Sequence, residues 1–208
     1  MTITDASTAR VWRGIIFDLD GTLVDSQLDY AQIRDDLGLP AGQPILEALT
    51  ERSPGWSTLP LWMRLHEHEL RGACRATLFP GVPEMLESLQ RAGVPTAVLT
   101  RNSRWATAVV LQRLHLQFSL VVTREHAPAK PHPDGLWQIC DHWRFSPAEV
   151  LFCGDFLFDL LAGRAAGMKT LLFAPRELPP YASLADYVIT SFVDFPAFWR
   201  CPQAFAHP

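Results

Sequence analysis

With 208 residues, 48% of them hydrophobic and 19% charged, the chain carries enough apolar material for one good-sized core plus a small insertion, which argues against disorder. A formal net charge of -4 offers no bulk attraction to nucleic acid or to an anionic membrane surface. No stretch reaches the ~18 apolar residues of a membrane span, the segment Met1 to Arg10 has no apolar signal core, and Cys74, Cys140, Cys153 and Cys201 form no C-x-x-C pair. These features point to a cytoplasmic protein with reduced thiols, one that binds neither nucleic acid nor membrane.

Taken in chain order, Ile15-Ile16-Phe17 is an apolar run that ends in Asp18-Leu19-Asp20-Gly21-Thr22-Leu23. It reads as a buried strand of a parallel sheet, with two carboxylates two residues apart and so on one side of the extended chain. From Val24 to Leu78 the pattern is helical throughout. Asp25 and Ser26 are placed to cap a helix over about 27–38; a second helix covers about 44–51, and a third about 59–77, after the loop Ser53-Pro54-Gly55-Trp56-Ser57. Strands and helices then alternate. A helix from Val82 to Arg91 precedes a strand at 94–99, a helix over 104–116 and a strand at 118–122. Next come a helix from Pro133-Asp134 to Trp143, a strand at 150–153, a helix to Ala166, and strands at 170–173 and 187–189. Alternation at this spacing predicts an α/β fold, a doubly wound parallel sheet with helices on both faces. The expected organisation is a core of residues 1–23 and 79–208, with a small α-helical cap of residues 24–78 inserted after the first strand.

Polar groups collect at the ends of the expected strands, where such sheets bind ligands. Asp18 and Asp20 repel one another unless a cation sits between them, and a hard ion such as Mg2+ suits oxygen donors of this kind. Thr100 is followed by Arg101-Asn102-Ser103 just before a helix, an arrangement suited equally to a phosphate oxygen and to an N-cap. Only two of the 18 basic residues are lysines, and one of them, Lys130, lies in the proline-stiffened Ala129-Lys130-Pro131-His132-Pro133. There it can serve as a point charge for a phosphate or a carboxylate pair. In Gly154-Asp155-Phe156-Leu157-Phe158-Asp159, Asp155 is a candidate metal ligand and Asp159 a brace for Lys130 or for a metal-bound water.

D-L-D-G-T-L, a strand-terminal threonine, K-P-H-P-D and G-D-x-x-x-D, in that order, together resemble the four signature motifs of the haloacid dehalogenase superfamily, over about residues 12–190. Phe79-Pro80-Gly81-Val82 leading to Gly93-Val94-Pro95 is similar to the phosphoglycolate phosphatase and β-phosphoglucomutase branch, which carries an α-helical cap. The resemblance implies a Rossmann-like core and a phosphatase acting on a small phosphorylated metabolite. It makes Asp18 the nucleophile and Asp20 the general acid and base. It has Mg2+ held by Asp18, Asp20 (through its carbonyl) and Asp155, and Thr100 and Lys130 hold the phosphoryl group. Arg101 is a further candidate, for an anionic group of the substrate.

Other chemistries of the superfamily are narrowed by particular residues. Dehalogenases lack the second aspartate, so Asp20 argues for phosphoryl transfer, and a cap without lysine closes the Schiff-base route of phosphonoacetaldehyde hydrolases. A phosphomutase stays open, as does a non-catalytic protein that binds a phosphorylated ligand or a partner chain through its C-terminal aromatics Phe195, Phe198 and Trp199. The cap offers Arg52 as a candidate to reach the site. His66-Glu67-His68-Glu69 lacks the H-E-x-x-H spacing and reads as a solvated face. A monomer or a homodimer is expected.

Overall fold

In a computed structural model, residues 12–52 and 58–206 are described. The expected loop at 53–57 and the polar segment at 1–10 lie outside these residues. Six parallel strands form the sheet: β1 (Gly14–Phe17), β4 (Thr96–Leu99), β5 (Leu120–Val122), β6 (Val150–Gly154), β7 (Lys169–Phe173) and β8 (Tyr187–Ile189). Their spatial order is β5-β4-β1-β6-β7-β8. The chain therefore builds outward from β1 on one side, returns, and builds outward from β6 on the other. That reversal makes the crevice beyond the carboxyl ends of β1 and β6 the place for a ligand.

Side-chain alternation sorts the strand residues between two cores. Ile15, Phe17, Val98, Leu151 and Cys153 face one side, where they meet α4 (Val82–Arg91), α5 (Arg104–Arg113) and α8 (Phe195–Arg200). Ile16, Ala97, Leu99 and Phe152 face the other, against α6 (Asp134–Trp143) and α7 (Leu157–Ala166). The result is the doubly wound α/β architecture that the alternating pattern predicts. Phe195 and Phe198 are buried, and Phe198 stacks on Trp12 at 5.6 Å between ring centroids, so these aromatics fill the core rather than form an exposed interface. All four cysteines are free.

Between β1 and α4 the chain forms α1 (Tyr30–Asp36), α2 (Ile45–Thr50) and α3 (Leu59–Arg75). They share a core of their own around Ile33, Leu37, Leu49 and Leu65. The expectation of helix alone from 24 to 78 is corrected here. β2 (Val24–Asp25) and β3 (Thr77–Leu78) pair antiparallel, so the helices hang from a two-stranded ribbon. Neither strand was legible, because two-residue strands carry no periodicity and exist only through their mutual pairing. The expected helix cap also moves. Asp25 accepts from the N–H of Gln27, whose φ of 52° breaks the helical path, and Asp29 caps α1 by accepting from Ala31 and Gln32. The third helix stops at Arg75 because Ala76 turns into an extended conformation ahead of β3.

Candidate active site

The β1 strand delivers Asp18 to the sheet's carboxyl edge, where the residue is 8% exposed. Beyond it Gly21 adopts φ 87°, and a Cβ there would run into the Asp155 carboxylate, so only glycine allows the turn to pass this close. Thr22 then donates its hydroxyl to Asp155 Oδ1 at 2.8 Å, tying the end of β1 to the end of β6. A Cβ on Gly154 would overlap Asp159, so the bare glycine lets the start of α7 press Asp159 into the same space. Asp159 is buried, and its Oδ2 accepts from the N–H of Phe156 at 2.9 Å.

Lys130 is the positive charge at this point. It is 2% exposed, and its Nζ lies 2.5 Å from Asp18 Oδ1 and 2.6 Å from Asp159 Oδ1. Burial pulls the ammonium down, but the charges of Asp159 and Asp18 outweigh it and hold Lys130 above its ordinary value. The carboxylates show the opposite balance. Burial, with help from Asp159 and against Lys130, pushes Asp18 up to about 7. Burial likewise raises Asp20 to about 6, although hydrogen bonds from Ser26 and Asn102 oppose it. Asp155 is raised well above its ordinary value by burial and by the charges of Asp18 and Asp159.

One oxygen from each of Asp18, Asp155 and Asp159 lies within 4.8 Å of the others. Three carboxylates against one ammonium leave this floor short of positive charge, and a set of oxygens alone matches what a hard divalent cation binds. Thr100 is buried at the end of β4, with Oγ1 accepting from the N–H of Asn102 at 3.1 Å. Ser103, not Thr100, caps α5 by accepting from the N–H of Ala106. Above these groups lies a cleft of about 610 Å³, walled on the far side by α1 and α2.

Residues 12–167, from the strand before Asp18 to the end of the helix that carries Asp159, match the family described as haloacid dehalogenase-like hydrolases. The chain belongs to that family. It is 33% identical to a phosphoglycolate phosphatase of Haemophilus influenzae over 85% of this chain and 93% of that one. It is 27% identical to an N-acetylmuramic acid 6-phosphate phosphatase of Pseudomonas putida over 88% of this chain and 92% of the relative. A hydrolase structure from Pseudomonas syringae superposes with a TM-score of 0.77 over 94% of this chain and 100% of the other, at 21% identity, and so shares the fold. As a haloacid dehalogenase-like hydrolase among phosphatases, the protein is a phosphatase.

The motif residues of this phosphatase meet at one place: Asp18, Asp20, Thr100, Arg101, Lys130, Asp155 and Asp159 all line the cleft. Arg101 is already engaged there. Its Nη2 donates to both oxygens of Glu47 on α2, at 2.9 and 2.7 Å, and its Nη1 donates to the carbonyl of Lys130. Arg52 is exposed beyond α2, outside the cleft lining. The solvated-face reading of the two histidines is corrected. His66 Nδ1 is 3.2 Å from Ser103 Oγ, while His68, its side chain 13% exposed, meets Asp36 Oδ2 at 2.8 Å. α3 lies against the start of α5 on the His66 side and against α1 on the His68 side, so both rings are partly covered.

Several residues at the site escaped sequence reasoning. Asn102 donates from its side chain to Asp20 Oδ2. Glu69 on α3 is 5% exposed and forms an ion pair with Arg124, and its charge also raises Asp20. A faint signal existed for Glu69, which lies on the helix face marked by Leu65 and Ala73. Tyr30, Arg34 and Arg176 line the cleft as well, and nothing in their sequence neighbourhoods sets them apart.

Proposed function

We propose that the protein is a Mg2+-dependent phosphatase that hydrolyses a small phosphorylated metabolite, of the phosphoglycolate or sugar-phosphate kind, through an aspartyl-phosphate on Asp18. The observation that carries this reading is the Asp18-Lys130-Asp159 triad, with Asp20 two residues further along the chain. Lys130, fixed between two carboxylates, aims Asp18 and supplies a charge for a phosphoryl oxygen. Asp18 attacks phosphorus as the ester bond breaks, and the leaving alkoxide takes a proton from Asp20. Raised by burial to about 6, Asp20 keeps a useful fraction of its carboxyl protonated at neutral pH. Asp20, now ionised, draws a proton from the water that attacks the acyl phosphate, which frees inorganic phosphate and restores Asp18.

Asp18, Asp155 and the backbone carbonyl of Asp20 would hold the Mg2+. When bound, the ion would neutralise the charge of the transferring phosphoryl group and the crowded acids. The Thr100 hydroxyl and the nearby N–H groups serve the phosphoryl oxygens. In the same reading, residues 24–78 act as a cap that covers the cleft and excludes water during transfer.

Phosphate release from p-nitrophenyl phosphate and a panel of phosphorylated metabolites tests this, with Mg2+ and with chelator, for the wild type and Asp18→Asn. Turnover that needs Mg2+ and falls by about 10³-fold or more in the variant is expected, as for loss of a nucleophile. Undiminished turnover in Asp18→Asn would overturn the assignment.

A further inference from the structure

The cleft is electrically lopsided. Its floor gathers Asp18, Asp20, Asp155 and Asp159 around Lys130, while two arginines on its walls have no acid to answer. Arg34 lies on α1 and Arg176 lies three residues beyond β7, so the inserted helices and the sheet each contribute one. Among the described residues neither has a carboxylate within 4 Å, in contrast to Arg101, which Glu47 neutralises.

Arg34 is held by neutral groups. Its Nε donates to the carbonyl of Gln43 and its Nη1 to that of Tyr30, both at 3.0 Å. These bonds fix the guanidinium's direction and leave its charge and Nη2 unused. Tyr30 stands one turn earlier on the same face of α1, and its 51% exposed surface opens into the cleft. The acids nearest on this wall are occupied elsewhere: Asp25 accepts from Gln27, and Asp29 from Ala31 and Gln32.

We infer that Arg34 and Arg176 form a subsite for a second anionic group, so that the preferred substrate is a phosphomonoester whose alcohol also carries a carboxylate or a second phosphate. This rests on the phosphatase reading of the floor and adds the class of leaving group. An ester of a neutral alcohol leaves both cations to water. An alcohol bearing an anion satisfies them through charge-assisted, forked hydrogen bonds. The acidic floor repels that second anion, which sets its place up on the walls, away from Asp18.

Two matched pairs of esters separate the sources of the anion: 3-phosphoglycerate against glycerol 3-phosphate, and fructose 1,6-bisphosphate against fructose 6-phosphate. For the wild type with Mg2+, kcat/KM should favour the anionic member of at least one pair by about tenfold or more, mainly through KM. Arg176→Ala and Arg34→Ala should each cut that preference by about tenfold, and Arg34→Lys should restore part of it. The pair that responds names the anion as carboxylate or phosphate. Arg176 is exposed and makes no hydrogen bond to the described residues, so its variant tests the subsite even if Arg34→Ala folds poorly.

A wild type that favours the neutral member of both pairs, or a preference untouched in both variants, would overturn the subsite. If p-nitrophenyl phosphate is still hydrolysed in an Asp18-dependent way, that failure leaves the phosphatase reading standing. Absence of turnover on every ester would sink both.

Discussion

The floor of the cleft and the helical wall above it are held by different means. At the floor, strand ends deliver three of the groups: Asp18 follows β1, Thr100 follows β4, and Asp155 follows β6, while Asp159 comes from the first turn of α7 and Lys130 from the segment between β5 and α6. Hydrogen bonds and ion pairs among buried neighbours then lock them, with Thr22 on Asp155 and Lys130 between Asp18 and Asp159. The wall hangs from the β2–β3 ribbon and meets the sheet's side of the molecule through the ion pairs of Arg124 with Glu69 and Arg101 with Glu47, through His66 beside Ser103, and through Arg113, which donates to the carbonyls of Ala73 and Ala76. The floor is therefore held by close buried contacts, and its crowding of acids carries an electrostatic cost.

The largest effect expected from perturbing this contrast is at the floor. Lys130→Ala removes the cation held between Asp18 and Asp159 and should destabilise the protein by about 3–5 kcal/mol, read from the urea midpoint. A shift below ~1 kcal/mol would mean that the lysine matters for substrate alone.

The pH dependence of stability comes next. In metal-free protein, Asp18 and Asp20 titrate near 7 and 6 instead of near 4, so between these limits the folded state binds more protons than the unfolded chain. Stability must then fall as pH rises from about 4 to about 7. Wall carboxylates behave oppositely but elsewhere on the scale: Gln32 and His68 hold Asp36 low, so its contribution is present above about 4 and lost only below it. Melting in chelator at pH 5.5 and 7.5 should therefore give the higher Tm at pH 5.5. Saturating Mg2+ should raise Tm most at pH 7.5, because it replaces the bound protons. Equal melting temperatures in chelator would show that the floor acids ionise normally.

The two ion pairs that tie the wall down should differ. The Arg124–Glu69 side chains are 12% and 5% exposed, so Arg124→Ala strands a buried carboxylate and should cost about 2–3 kcal/mol. Arg101 and Glu47 are more open, at 23% and 37%, and Glu47→Ala should cost no more than about 1 kcal/mol. Urea titrations of both variants rank them, and the reverse order would place the stronger tie at α2 instead of α3.

How much of this was legible in the sequence follows the same division. The apolar runs and their polar ends are local facts, and a doubly wound sheet converts strand-end position into spatial proximity whatever lies between. Asp18, Asp20, Lys130, Asp155 and Asp159 were therefore readable as one group from order and residue type, although 112 positions separate Lys130 from Asp18. The β2–β3 ribbon was hidden, since its strands are too short to show a period and are defined only by each other. Asn102 against Asp20, Glu69 against Arg124 and Glu47 against Arg101 were hidden for a related reason. A charged side chain on a helix reads as solvated until its partner is known, and the partner comes from how the inserted helices pack on the sheet domain. The sequence by itself determined the six strands of the parallel sheet, their order of chemistry and the acids that end them, because strand periodicity and burial act within a few residues. Only the tertiary structure decided which arginines are spent on carboxylates and which two are left facing the cleft, because that depends on distances between segments that no local pattern encodes.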